Sequence, residues 1–235
     1  RCDLCVVDLD QCIYPRFTQT TLGAILLFRS LKNPYRKFIL QLLSGAAYIS
    51  YARSLALLGR TTTSYQLMSF FCRVIKGIPI KLVEECASRL PALGSQNWKE
   101  ALGRISDRMS VFLLTFSIEP VARAYGEVRN SQGERIFQFC KGSPLKLSRG
   151  LIEECVFDRR SFSPRAKLEA MEEIMERGGF RHPLIIGHGE DENIMARCAR
   201  EMKGGSIALG KATDGADGFD LTLPGNAWKK IAAAL

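Results

Sequence analysis

Leu4-Cys5-Val6-Val7-Asp8-Leu9-Asp10-Gln11-Cys12-Ile13-Tyr14-Pro15 decides the fold. Four apolar residues in a row predict a strand buried on both faces, as in a parallel sheet covered by helices. Asp8 ends that strand abruptly. A carboxylate after an apolar strand is costly to bury, so a site that uses it is the better explanation than a turn cap. Asp10 follows at a spacing that puts both acids on one strand face.

Two more apolar strands end in polar groups. Val111-Phe112-Leu113-Leu114 leads to Thr115 and Ser117, and Pro183-Leu184-Ile185-Ile186 leads to Gly187-His188-Gly189-Glu190-Asp191-Glu192. Open α/β sheets bind ligands at the carboxyl ends of their strands. Between the first two strands the pattern is helical. Asn33-Pro34 opens a helix that runs toward Leu58 and Gly59, and others follow over 64–75, 79–90 and 97–107. A short helix is expected at 120–125 and a hairpin over 127–139, where Asn130-Ser131-Gln132-Gly133 reads as a turn. Ser163 caps a helix with Pro164 at its first position, and short closing strands lie at 206–209 and 220–223.

The four segments together resemble the haloacid-dehalogenase (HAD) superfamily. Residues 5–15 are similar to motif I, Thr115 to motif II, Lys167 to the lysine of motif III, and 187–192 to the motif IV loop, usually G-D-x-x-x-D. The arrangement is most similar to the phosphoserine-phosphatase-like subgroup with a helical C1 cap. The resemblance implies an α/β Rossmann-like parallel sheet with an inserted all-helical cap: a core of 1–15 and 108–235, and a cap of 16–107.

It also implies a metal-dependent phosphohydrolase acting on a small phosphorylated compound. Asp8 would attack phosphorus and form an aspartyl-phosphate. Asp10 would protonate the leaving oxygen and then activate water. Thr115 and Ser117 would hold phosphoryl oxygens, and Lys167 would neutralise charge during transfer. Mg²⁺ would be bound by Asp8, the Asp10 carbonyl and motif IV, with His188, Glu192 and Asp191 as candidates. His188 stands where the family has its first motif IV aspartate. Imidazole suits Mg²⁺ poorly, so Mn²⁺ or Co²⁺ are the alternative ions. The alternative function is a catalytically lapsed relative that binds a phosphorylated ligand or a protein partner. Arg165 is a weaker candidate beside Lys167. His182, next to Pro183, reads as structural.

Charge is placed unevenly. Residues 11–98 hold 11 Lys/Arg against Glu84 and Glu85, which is the whole net charge of +9. This predicts either a solvated helical surface or a lid that attracts anionic substrates. Phe38, Tyr48, Phe70 and Phe71 read as the core of that segment. Binding of nucleic acid or an anionic membrane ranks below the phosphatase readings, because no nucleic-acid motif appears and the charges are spread among apolar positions. No apolar run is long enough to span a bilayer. The eight cysteines read as scattered reduced thiols, and a cytoplasmic location is expected.

Overall fold

The computed structural model describes residues 2–32, 34–57, 64–156, 160–161, 163–210, 218–224 and 227–234; the side chains of 49, 52–57, 64, 190, 191 and 234 lie outside that set. Among these residues, six strands form a wholly parallel sheet. In sheet order they are β3 (Phe139–Ser143), β2 (Ser110–Ile118), β1 (Leu4–Val7), β6 (Pro183–Gly187), β7 (Gly205–Leu209) and β8 (Leu221–Leu223). β1 is central. The chain moves outward from it first through β2 and β3, then returns to its other edge at β6. Strand order therefore reverses beside β1, and Asp8 stands at that switch point.

The strand period decides which side chains meet. Cys5 and Val7 join a large core with Leu22, Leu113, Val121 and Trp228, while Leu4 and Val6 join a second core with Met171, Met175, Met195 and Ala199. The second core lies beneath α7 (Pro164–Gly178) and α8 (Glu190–Glu201). Asp8 continues the even parity of Leu4 and Val6, toward α7.

Among the described residues, five helices lie between β1 and β2: α1 (Thr18–Ser30), α2 (Ile39–Leu57), α3 (Ser64–Ile75), α4 (Ile80–Ala87) and α5 (Trp98–Ser106), with 3-10 turns at Tyr35–Phe38 and Leu90–Leu93; α6 (Glu119–Gly126) follows β2. α2 begins later than Asn33-Pro34 suggests, because a 3-10 turn intervenes; Asn33, Leu58 and Gly59 lie outside the described residues. Phe38 and Phe71 are buried, and Tyr48 stacks on Phe70 at 3.8 Å. α5 packs on β2 and on the C-terminal helix α9 (Trp228–Ala234).

Three local expectations change. The hairpin over 127–139 shrinks to one bridge, Arg129 with Arg135, held by the Asn130 side chain accepting from Gln132 N and Glu134 N. The true hairpin is β4 (Leu145–Ser148) with β5 (Leu151–Cys155), and residues 77–80 bond to its edge through Gly77 N to Ile152 O, 2.7 Å, and Ile80 N to Gly150 O, 3.0 Å. The thiols are not all reduced: Cys72 of α3 and Cys155 of β5 form a disulfide with Cα atoms 5.7 Å apart. Their separation of 83 residues hides the pair from any reading by spacing.

Candidate active site

Asp8, Thr115, Lys167 and Glu192 are buried polar residues at the carboxyl edge of the sheet. Lys167 enters from the first turn of α7, whose start is fixed by Ser163: its hydroxyl accepts from Ala166 N, and Pro164 follows at the first helical position. The lysine Nζ donates to Asp8 Oδ1 at 2.8 Å and to Glu192 Oε1. It also lies 4.6 Å from the centre of the Phe116 ring. One ammonium thus joins two carboxylates, with the three side chains exposed by only 5%, 10% and 3%. Burial pushes the Asp8 carboxyl up, the Lys167 charge opposes this, and the nearby Glu192 and Asp10 charges add to it.

Glu192 is the N3 residue of α8. Its second oxygen, Oε2, accepts from His188 N and Gly189 N, both at 3.3 Å. This is the capping arrangement that a glutamate at N3 makes with its own helix start. A Cβ on Gly187 would stand 2.6 Å from the Glu192 side chain, so glycine lets the glutamate fold back. The His188 ring turns elsewhere: Nδ1 donates to Leu209 O at 2.8 Å, at the end of β7.

Asp10 lies past the strand, in a turn closed by Tyr14 N to Leu9 O at 2.9 Å and by Gln11 at φ 62°. The carbonyl of Cys12 accepts from Trp228 Nε1 at 3.1 Å, which braces the turn against α9. Asp10 Oδ1 accepts from Thr18 N at 2.6 Å, the first residue of α1. Burial raises the Asp10 carboxyl to about 6, and its bonds to Thr18 restrain the rise. A carboxyl with that value divides between acid and base near neutral pH.

Thr115 and Ser117 sit where β2 and β3 lose register between Leu114 and Ile118, an irregularity of the kind that re-aims side chains beside sites. Thr115 Oγ1 accepts from Ser117 N at 3.0 Å, and Ser117 Oγ bonds Thr18 Oγ1 at 2.7 Å. Beside Thr115 and Lys167 opens a cleft of about 650 Å³, lined also by Lys141, Ser143, Glu154 and Arg160.

The residues read from the sequence thus fall into two groups. Asp8, Lys167 and Glu192 are in contact, and Asp10, Ser117 and Thr115 are linked to one another through Thr18. His188 is drawn off to β7, and the Asp191 side chain lies outside the described residues. Arg165 pairs with Glu169 on the surface, and His182 bonds Met202 O and Asp3 as a structural residue. Thr18 went unread, because only the folded turn brings a residue ten positions after Asp8 back onto Asp10.

No protein-family model and no curated protein matches the sequence. Solved structures match its fold. A phosphoserine phosphatase in its apo form has a TM-score of 0.65 at 14% identity, covering 95% of this chain and 94% of that one. A HAD family hydrolase from Salmonella enterica serovar Typhi gives 0.60 at 12% identity, over 90% of this chain and 63% of that one. Cytosolic 5'-nucleotidase IIIB bound to cytidine gives 0.60 at 12% identity, over 98% and 85%. The fold is that of HAD-type phosphatases, with a Rossmann-like parallel sheet and helices on both faces.

Proposed function

We propose that the chain is a phosphoric monoester hydrolase that acts on a small phosphorylated compound. The observation that carries this reading is the buried Asp8–Lys167–Glu192 contact at the switch point of the sheet, with Asp10 beside it. Asp8 is the nucleophile that takes the phosphoryl group as an aspartyl-phosphate. Lys167 holds it in place and balances the charge that gathers as phosphate arrives. Asp10, near a pKa of about 6, gives a proton to the leaving oxygen and takes one from water. Thr115 and Ser117 face the phosphoryl oxygens. Residues 16–107 serve as a C1-type cap over a core of 1–15 and 108–235.

The described residues do not complete a site for Mg²⁺. Both Glu192 oxygens are engaged, by Lys167 and by two backbone N–H groups, and the His188 ring is bonded to Leu209 O. Among the described residues no three His, Cys, Asp or Glu side chains could hold a metal ion. The steps above therefore use none. The same geometry favours a second reading, a lapsed relative that binds a phosphorylated ligand or a partner without turnover.

A panel of small phosphate esters, assayed with Mg²⁺, Mn²⁺, Co²⁺ and no added metal, tests the reading. Turnover that disappears in Asp8→Asn supports a hydrolase. Binding of inorganic phosphate with no turnover under any condition supports the lapsed scaffold.

A further inference from the structure

The solvent face of α2 is apolar where a surface helix should be charged. Leu40, Leu43, Ser44, Ala47 and Tyr51 are exposed and recur at helical spacing on one side, while Phe38, Leu42 and Gly45 are buried. From Phe38 to Tyr51 there is no charged residue. Leu40 is 80% exposed, Tyr51 60%, and at the end of α1 Phe28 is 71% and Leu31 52% exposed. These are the four most exposed large hydrophobic residues described. Such a cluster marks an interaction surface.

Its surroundings are mainly basic, although Glu85 of α4 neutralises Arg29 near the end of α1. No Asp or Glu occurs from Gln11 to Val83. Lys32, Arg36 and Lys37 are exposed between the end of α1 and the start of α2. No helix among the described residues is long and apolar enough to cross a membrane.

We propose that this α1–α2 face docks on an anionic lipid bilayer, with α2 lying in the plane of the interface. An apolar helix face beside basic residues is what binds at that depth, and anionic headgroups supply the complementary charge. A second copy of the chain fits less well, because pairing this face with itself sets Lys32, Arg36 and Lys37 against their own kind. The inference is independent of the phosphatase reading.

Flotation of the full chain with vesicles tests it, using phosphatidylcholine alone or with about one third phosphatidylserine. Capture is expected only on the mixed vesicles, with release as salt screens the charge. Arg36→Glu/Lys37→Glu should weaken capture at least about 25-fold, at about fivefold for each basic residue. Leu40→Ser/Leu43→Ser should weaken it by about tenfold per side chain. All four positions are exposed, so thermal melts should match the wild type. Trp98 and Trp228 are buried, so Tyr51→Trp adds a reporter whose emission should shift to the blue on mixed vesicles alone. The proposal is overturned by failure of the wild type to float, by equal capture on pure phosphatidylcholine, or by undiminished capture of either double variant. It is equally overturned by a dimer that Leu40→Ser dissolves, which would make a second copy the occupant.

Discussion

Replacing Lys167 with Met keeps an unbranched side chain of similar length and removes the charge that joins Asp8 to Glu192. Removing one partner of a buried ion pair costs about 3–5 kcal/mol, because the charge left behind has lost its compensation. Here two carboxylates are left, each at most 10% exposed and facing one another. The folded variant relieves this by holding a proton on the pair at a pH where unfolded carboxyls, near 4, are ionised. Between those values the folded state binds more protons than the unfolded state. Stability therefore falls as pH rises, by about 1.4 kcal/mol per unit for each extra proton. The loss against wild type should grow as pH rises above about 4.5, because burial raises Asp8 in both proteins and only the wild type has Lys167 to oppose it. Urea unfolding followed by circular dichroism across a series of pH values measures it. Lys146→Met is the control, since Lys146 pairs with Glu153 at 3.5 Å on the surface, and it should cost under about 1 kcal/mol. A penalty for Lys167→Met that is as small as the control's, or that does not change with pH, would refute the reasoning.

The other predictions concern chemistry and the crosslink. Asp8→Asn should fold and lose at least about a thousandfold in kcat, read against the best ester in the panel; retained turnover removes Asp8 as nucleophile. If Asp10, held near 6, gives the proton in the first step as proposed, kcat/KM for esters with poor leaving groups should fall as pH rises through about 6. Asp10→Asn should abolish that limb while sparing esters with good leaving groups, and equal losses for both argue against the role. His188→Asp should tighten Mg²⁺ binding by calorimetry, since it places a hard oxygen at the head of the loop after β6; unchanged binding means that the loop does not carry the ion. Reduction of Cys72–Cys155, or Cys72→Ser, should lower unfolding stability by about 2–4 kcal/mol in a denaturant melt, because the bond closes a long loop.

The sheet was legible because its strands are short, apolar and sharply ended. β1 and β6 occupy the expected positions, and α3 matches the expected helix end to end. Where the period was lost, so was the reading. Residues 145–155 carry too little alternation to announce a hairpin, and its partner segment at 77–80 is remote in sequence. The disulfide between those same regions is a contact of tertiary structure and leaves no local trace. Thr18 belongs to this class: its amide matters only because the turn at Gln11 folds the chain back onto Asp10.

Glu192 shows why residue type and order were not enough at the loop after β6. Its carboxylate lies four positions after His188, and sequence alone offers a cation and a lysine equally as its partner. Helix geometry decides between them. At N3 of α8 the side chain folds back over Gly187, which puts Oε2 on the amides of His188 and Gly189 and leaves Oε1 aimed at Lys167. The lysine is then held between two carboxylates, with Asp8 on its other side. Residue 188 stands one position beyond the end of β6, and in the β1–β6 register it is Gly187 that lies level with Asp8. Imidazole at that place finds a better partner in the Leu209 carbonyl and turns away. The His188 ring thus turns to β7 while Glu192 engages Lys167, which is why the lysine contact and any binding of Mg²⁺ at this loop have to be tested separately.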